Sequence, residues 1–245
     1  MLNGIIMSFS MYTTIPMPQN KWEEKNFPFI IVGLSFVGLV IGLIWFFISK
    51  ILINTNISIT INSTIICLIP LFLSGFIHID GYMDTCDAIF SRASLEKKYK
   101  ILKDSHVGAF AVIGLLIIGL IYYVSIYEIL SKQKNIIPLI FIPIFSRGIT
   151  SLFIIKTKPI SEEGFIASFK KELNNKHFIS IIFILIVFFI LSYFLGIIKI
   201  VCINIILCII FALYCIKDLK GISGDLCGFI ITTSSAMSLF FLAIL

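Results

Sequence analysis

Three aspartates, Asp80, Asp84 and Asp87, stand within the stretch HIDGYMDTCDAIF, which runs from His78 to Phe90. On an α-helix their spacing of i, i+4 and i+7 keeps them within about 60° of arc, which predicts one acidic stripe. Like charges crowded near a membrane repel one another and lose hydration. A bound divalent cation, Lys or Arg partners, or protonation would relieve this cost, and oxygen ligands suit Mg²⁺, Mn²⁺ or Ca²⁺. A polar helix end that points into water is the alternative.

Two neighbours add chemical options to the acidic stripe. Gly81 directly follows the first aspartate, and its missing side chain allows close approach by either a phosphate or another helix. His78 lies on a neighbouring part of the same helix surface. It is interpreted either as a hydrogen-bonded structural residue or as a catalytic one that accepts a proton.

A second polar cluster, LKDSHVGAF, runs from Leu102 to Phe110. In a functional interpretation Lys103 neutralises phosphate and Asp104 adds a fourth carboxylate to a metal site. In the structural alternative Asp104 or Ser105 caps the helix that follows.

The third cluster, KGISGDLCGF, runs from Lys220 to Phe229 and places three glycines around Asp225. Backbone N–H groups at a helix N-terminus can cradle a phosphate, and a glycine-rich turn capped by Asp225 is the alternative. Arg147 lies inside an apolar run, where it needs a carboxylate or phosphate partner. Carboxylates, glycines and cations together fit chemistry on a phosphate or pyrophosphate.

The composition indicates the elements that must carry these residues. The chain is 59% hydrophobic and 13% charged, whereas soluble domains carry about 25% charged residues. With a mean hydropathy of +1.08, it has too few polar side chains to cover a water-exposed surface. We therefore predict an all-α polytopic membrane protein that occupies a lipid bilayer.

We predict a single integral membrane domain over residues 1–245, built as one bundle of about seven transmembrane helices. Residues 1–27 form an N-terminal interfacial segment. A span needs about 20 apolar residues, and the candidates are 28–49, 57–79, 107–127, 136–155, 178–196, 200–216 and 226–245. The fifth and sixth spans are expected to form a tight hairpin. The fourth contains Pro138 and Pro143, so we expect it to be kinked or broken.

The basic residues are divided unequally between the two sides of this bundle. One side holds Lys50, Lys132, Lys134 and Lys199, and Arg147 is inside a span. The side of the N-terminus holds the remainder: Lys21, Lys25, Arg92, Lys97, Lys98, Lys100, Lys103, Lys156, Lys158, Lys170, Lys171, Lys176, Lys217 and Lys220. Because positive loops stay inside, we predict a cytoplasmic N-terminus, cytoplasmic loops at 88–106 and 156–177, and a cytoplasmic working face.

Two other functional classes are disfavoured by the sequence. The net charge of +6 is accounted for by membrane topology, so we expect no nucleic-acid partner. None of the six cysteines forms a CxxC pair, which argues against a zinc site or a disulfide framework.

The three clusters resemble motifs of the cobalamin synthase family. GFIHIDGYMDTCDA is similar to its G-x-H-x-D-G-x-x-D-x-x-D-G/A motif, and KDSHVGAF to K/R-D-S-x-x-G-A-F/Y. GISGDLCG is similar to G-x-T-G-D-x-x-G, with Ser223 where Thr is usual. TTIPMP is similar to T-R-x-P-x-P, with Thr14 where Arg is usual. The blocks occur in the family's order and cover nearly the whole chain.

The resemblance implies a Mg²⁺-dependent enzyme, integral to the cytoplasmic (inner) membrane, that completes the nucleotide loop of vitamin B12. Its substrates would be the corrinoid nucleotide adenosylcobinamide-GDP and α-ribazole or its 5′-phosphate, with release of GMP. A homo-oligomer is left open. The expected residues are as follows: metal ligands Asp80, Asp84, Asp87, Asp104 and Asp225; catalytic residues Asp87, His78 and Lys103; substrate-binding residues Arg147, Gly81, Ser105, Gly224 and Lys220.

Two alternatives come from other functional classes. CDP-alcohol phosphotransferases also gather aspartates and glycines on membrane helices, but their motif ends in G-x-x-x-D-x-x-x-D, whereas Asp84 and Asp87 are three residues apart. An ion-coupled transporter would place its acids near the bilayer midplane and often carries a repeat. Here the acids lie towards one face, and no repeat is visible in the sequence.

Overall fold

The computed structural model describes residues 2–18, 22–162 and 164–245. Lys21 and parts of the segments 1–27 and 156–177 therefore lie outside the described residues. Eleven α-helices occur in the described residues: α1 Leu2–Tyr12, α2 Phe27–Ile53, α3 Ile59–Leu73, α4 Ile77–Phe90, α5 Leu95–Ile101, α6 Ala109–Ser131, α7 Pro138–Lys156, α8 Phe165–Lys170, α9 Asn175–Phe194, α10 Ile198–Leu219 and α11 Gly224–Ile244.

The all-α membrane fold is confirmed. Six helices of the described chain are long and apolar enough to cross a membrane, and the bent pair α3 and α4 counts as a seventh if it is taken as one span. The short helices α5 and α8 lie inside the two predicted loops, and α1 precedes the first span. The predicted hairpin of spans five and six is present: α9 and α10 are joined by a tight turn at Gly196, whose φ is +71°.

The span predicted over 57–79 is divided between two helices, α3 and the start of α4. The chain bends by 90° between α3 and α4, because Gly75 and Phe76 both adopt left-handed conformations, with φ of +59° and +62°. Thr14 holds the bend from outside: its backbone N–H donates to the Leu73 carbonyl at 2.9 Å, and its hydroxyl donates to the Phe72 carbonyl at 3.0 Å. The acidic motif therefore occupies a separate helix that turns away from α3.

The fourth span, predicted to be kinked or broken, is not broken: α7 runs as one helix from Pro138 to Lys156, with Pro143 inside it. Pro138 occupies the first helical turn, where the missing N–H costs nothing. The helix packs very closely on α2. A Cβ added to Gly38 would stand 2.7 Å from the Pro143 carbonyl carbon, and one on Gly42 would stand 2.8 Å from the Ile140 Cα.

Candidate active site

A cavity of about 460 Å³ opens at one end of the bundle, between helices and loops that are distant in sequence. Its lining comes from α1, Leu34 of α2, the start of α4, the end of α5, the end of α7, residues 159–161 and 164–167, and the start of α11. These segments were all predicted to lie on one side of the membrane. Five predicted site residues line the cavity: His78, Asp80, Lys103, Gly224 and Asp225.

The acidic motif reaches this cavity because α4 and α11 cross at two glycines. A Cβ added to Gly81 would lie 2.7 Å from the Cα of Asp225, and one added to Gly228 would lie 2.7 Å from the carbonyl oxygen of His78. Thr232 adds a hydrogen bond from its hydroxyl to the same His78 carbonyl at 3.2 Å. Gly81 thus serves helix packing, and this packing places Asp225 beside the acidic stripe.

Four carboxylates share one electrostatic environment at this crossing. Asp84 interacts with Asp225, Asp80 and Asp87, and Asp225 interacts with Asp80. The exposure of the stripe falls along α4: Asp80 is exposed, Asp84 is half-buried and Asp87 is buried. Among the residues that the structure describes, no Lys or Arg forms an ion pair with any of the four. Their negative charge is therefore left for a ligand to balance.

Asp87 makes contacts that the sequence did not predict. Its two carboxylate oxygens accept hydrogen bonds from the backbone N–H groups of Gly108, at 2.7 Å, and Ala111, at 2.9 Å. It therefore caps the N-terminus of α6 from a neighbouring helix, where a negative charge also favours the helix dipole. The prediction that Asp104 or Ser105 caps this helix is wrong: its N-cap residue is Gly108. A Cβ there would come within 2.5 Å of Asp87 Oδ1.

The donor set suits a hard divalent cation in type and charge, because it offers carboxylate oxygens without competing cations. As the side chains stand, no three His, Cys, Asp or Glu groups within 2–18, 22–162 and 164–245 are close enough together to hold a metal ion. Ion binding therefore requires the carboxylates to move closer together.

Lys103 reaches the cavity because α5 is fixed to the end of α10. The buried Lys98 ammonium pairs with Asp218 at 2.6 Å, and the Tyr99 hydroxyl donates to the Leu219 carbonyl at 2.7 Å. Lys103 follows two residues after α5 ends. It is exposed and places a positive charge at the same cavity as Asp80 and Asp225.

Three predicted site residues lie away from this cavity. Asp104 is exposed and paired with His106, whose ring Nδ1 is 2.6 Å from Asp104 Oδ1. Hydrogen bonds from the His106 ring and backbone lower the pKa of the Asp104 carboxyl. Ser105 is exposed in the same loop, and Lys220 ends α10 in a left-handed conformation. None of the three is among the residues that line the cavity.

His78 lines the cavity, and Arg147 is buried near it. His78 is 8% exposed, stacks on Tyr12 with ring centroids 6.1 Å apart, and interacts electrostatically with Arg147. Arg147 is 4% exposed, and its only described hydrogen bond reaches the Pro143 carbonyl at 3.5 Å. Within the described chain it forms no ion pair with a carboxylate. Arg Nε and His Nε2 are both buried without a described hydrogen-bond partner.

Two features of the site escaped the sequence interpretation. A parallel bridge joins Pro159 to Ile222: the Ile160 N–H donates to the Ile222 carbonyl, and the Ile222 N–H donates to the Lys158 carbonyl, both at 3.0 Å. The N-cap of α11 is Ser223, which accepts from the Leu226 N–H, and not Asp225. The Asp225 carboxylate lines the cavity and accepts a hydrogen bond from the Ser223 hydroxyl at 3.3 Å. The TTIP motif at residues 13–16 was the only sequence signal for the strap that holds the α3–α4 bend.

Comparison with known proteins places this geometry in a family. A sequence profile described as Cobalamin-5-phosphate synthase matches residues 4–243. The chain is 37% identical to an adenosylcobinamide-GDP ribazoletransferase from Clostridium botulinum (strain Alaska E43 / Type E3), covering 98% of this chain and 96% of the relative. It is 33% identical to the protein of the same name from Clostridium perfringens (strain SM101 / Type A), covering 99% and 98%.

A third relative extends the similarity beyond these organisms. The adenosylcobinamide-GDP ribazoletransferase of Halalkalibacterium halodurans is 32% identical over 173 residues, covering 68% of this chain and 65% of the relative. No solved structure matched the chain. Since the family profile spans nearly the whole chain and the three motifs converge on one site, the chain belongs to the Cobalamin-5-phosphate synthase family.

Proposed function

We propose that the protein is a membrane-integral adenosylcobinamide-GDP ribazoletransferase. It joins the cobinamide-phosphate group of adenosylcobinamide-GDP to a free ribose hydroxyl of α-ribazole, or of its 5′-phosphate, and releases GMP. This is the final assembly of the nucleotide loop of vitamin B12.

One observation of the structure supports this function most directly. Asp80 and Asp225, from motifs 145 residues apart by their numbering, line one cavity together with Lys103 from a third motif. The same cluster extends to Asp84 through electrostatic contact with both acids. Acids, a cation and helix N-terminal backbone therefore surround a single space large enough for one substrate group.

The reaction is a displacement at phosphorus. A free ribose hydroxyl oxygen of the acceptor forms a bond to the phosphorus that carries cobinamide, and the bond from that phosphorus to the bridging oxygen breaks. GMP leaves with the electron pair, and the attacking hydroxyl loses its proton. Asp80 and Asp225 line the cavity and are therefore the positioned acceptors for this proton.

The other residues support this step from fixed positions. Lys103 contributes positive charge towards the phosphates, and the free N–H groups at the start of α11 face the same cavity through Gly224. Asp87 holds the N-terminus of α6, so we assign it a positioning role. His78 lines the cavity and interacts electrostatically with the buried Arg147, so their charge and hydrogen-bonding capacity would stabilise negative charge there.

Mg²⁺ is part of this proposal. Asp80, Asp84 and Asp225 would hold the ion, with Asp87 behind them, because these carboxylates gather without a cationic partner in the described chain. When bound, the ion would neutralise pyrophosphate charge and charge developing on the leaving group.

We also propose that the protein lies in the inner membrane and that its cavity opens towards the cytoplasm. The loops around it carry most of the chain's basic residues, and such loops stay inside. The test uses Lys97→Cys in a variant that has no other cysteine, together with a membrane-impermeant thiol reagent. In vesicles of known orientation, the reagent should label residue 97 from the cytoplasmic side. Labelling from the outer face of intact cells would contradict it.

The activity is tested directly with purified protein in detergent or liposomes. We expect adenosylcobinamide-GDP, α-ribazole and Mg²⁺ to yield GMP and adenosylcobalamin in equal amounts. Omission of Mg²⁺ with added chelator should abolish both products. A folded sample that gives neither product under complete conditions would contradict the assignment.

A further inference from the structure

We propose that the cavity beside Asp80 and Asp225 is the binding site for the aromatic base of α-ribazole, and that the corrinoid remains outside it. This inference rests on the proposed function and adds the substrate that occupies this site. Its support comes from the size of the cavity, the polarity of its lining and one exposed aromatic side chain.

Size excludes the corrinoid as the occupant. The cavity measures about 460 Å³, at the lower end of sites that enclose a drug-sized ligand. A corrin macrocycle with its amide side chains exceeds such a volume, whereas a benzimidazole carrying one ribose fits within it. The guanosine of the other substrate is of similar size, so volume alone leaves two nucleosides.

The polarity of the lining separates these two nucleosides. Along α11 the lining changes from Gly224 and Asp225 in the first turn to Cys227 and Ile231 deeper in the helix. Leu34, Ile154 and Ile166 complete the apolar part. Guanine carries several donors and acceptors, which an apolar wall would leave unpaired at a cost. Dimethylbenzimidazole carries two methyl groups and a single free ring nitrogen, so it suits this wall.

The change from polar to apolar lining also orients the bound α-ribazole for the proposed reaction. With its base against the apolar wall, the ribose of α-ribazole points towards Asp80 and Asp225. The free ribose hydroxyl, which is the nucleophile of the proposed reaction, then lies at the carboxylates that accept its proton.

Phe165 supplies an aromatic surface at this cavity. Helix α8 begins there after Gly164, whose φ of +148° favours glycine, and it is anchored through Phe169, which is 1% exposed and packs edge-on against Phe27. Phe165 itself lines the cavity while 67% exposed. Its ring is therefore available for stacking on a bound base.

Two variants with matched controls test the assignment by steady-state kinetics. Phe165→Ala should raise the KM for α-ribazole about 5-fold or more, the scale of losing one aromatic stacking contact. Phe183→Ala, from an equally exposed ring on α9 at 66%, should leave it unchanged. Ala167→Phe fills the cavity from its lining and should raise the same KM at least ~10-fold. Ala93→Phe, at a half-buried position outside the lining, is its control.

The KM for adenosylcobinamide-GDP shows whether α-ribazole or guanosine occupies the cavity. We expect it to stay within about 2-fold in every variant. A rise in this KM alone would assign the cavity to guanosine and overturn the proposal. Equal rises in both constants, or an unchanged α-ribazole KM in both variants, would overturn it as well. Thermal unfolding in detergent verifies that Ala167→Phe is folded, and the exposed Phe165→Ala provides the decision if it is not.

Direct binding distinguishes failure of this inference from failure of the proposed activity. Equilibrium dialysis of labelled α-ribazole and labelled guanosine against the purified protein needs no turnover. Saturable α-ribazole binding that Phe165→Ala weakens supports the site even if no GMP is formed. Guanosine binding that responds to the same substitution, with no such response for α-ribazole, contradicts it.

Discussion

The helices α11 and α9 have nearly equal lengths, 21 and 20 residues, but opposite environments. We compare the most apolar 18 consecutive residues of each helix. In α11, 72% of these residues are buried inside the protein, compared with 17% in α9. The mean hydropathy runs the other way, 1.8 for α11 and 2.6 for α9. The more apolar helix is thus the one that faces lipid, and the less apolar helix forms the centre of the protein.

This inversion follows from the absence of a hydrophobic driving force between helices in lipid. Association then depends on close packing and hydrogen bonds, which small and hydroxylated residues provide. In α11, Gly228 packs closely against α4, and the Thr232 hydroxyl donates a hydrogen bond to the His78 carbonyl. The Ser238 hydroxyl accepts a hydrogen bond from the Asn204 side-chain amide at 2.8 Å. The same features that lower the hydropathy of α11 fix Asp225 beside the acidic stripe.

The largest effect on activity is expected from the acidic cluster, which the central helix α11 helps to position. Asp84→Asn keeps the side-chain size but removes the charge of a carboxylate that interacts with the other three acids. One good electrostatic contact is worth about 2.7–4 kcal/mol, so the rate of GMP release should fall at least ~100-fold. Glu128→Gln, on α6 in an exposed ion pair with Lys132, is a control acid outside the cluster. Near-normal turnover of Asp84→Asn would remove this residue from the site.

A smaller but still large effect is expected at the crossing of α4 and α11. Gly81→Ala places a Cβ 2.7 Å from the Cα of Asp225, so the two helices must separate. We expect about a 10-fold loss of activity and a lower melting temperature, since overpacking typically costs about 1–3 kcal/mol.

Gly119→Ala is the matched control for this substitution. Gly119 lies on the spanning helix α6, where an added Cβ meets nothing within 4 Å. Its activity should stay normal, and its stability should be equal or slightly higher, because Ala favours helix by roughly 0.5–1 kcal/mol. Equal losses in both variants would show that the effect of Gly81→Ala does not come from the contact with Asp225.

The same contrast explains which parts of the structure were predictable from the sequence. Apolar runs identified the spanning helices, and the i, i+4, i+7 spacing placed Asp80, Asp84 and Asp87 on one helix, because both signals are local. The bend between α3 and α4 was missed because Phe76, a residue that rarely adopts positive φ, is left-handed. The external bonds of Thr14 hold it there.

The missed parts of the site are all tertiary contacts. The sequence pattern showed a carboxylate at Asp87 but not its hydrogen bonds to the start of α6, 21 and 24 residues later. It showed glycine at position 81 but left open whether a phosphate or a helix approached it, and the structure places Asp225 there. Such choices depend on which helices are neighbours, and this information is absent from the periodicity of any single helix.

The smallest effect is expected on the lipid-facing surface. Replacing one Ile by Ala on α11 and one on α9 compares the buried helix with the exposed helix directly. Ile230 on α11 is 0% exposed, whereas Ile190 on α9 is 52% exposed. Ile230→Ala leaves a cavity between packed helices and should lower the free energy of unfolding by about 2–5 kcal/mol. Ile190→Ala exchanges protein–lipid contacts for similar ones and should change it by less than about 0.5 kcal/mol. Unfolding of both variants in the same lipid–detergent mixture provides the measurement. Equal destabilisation would mean that α9 is covered by protein in the membrane, as in a homo-oligomer whose interface includes this helix.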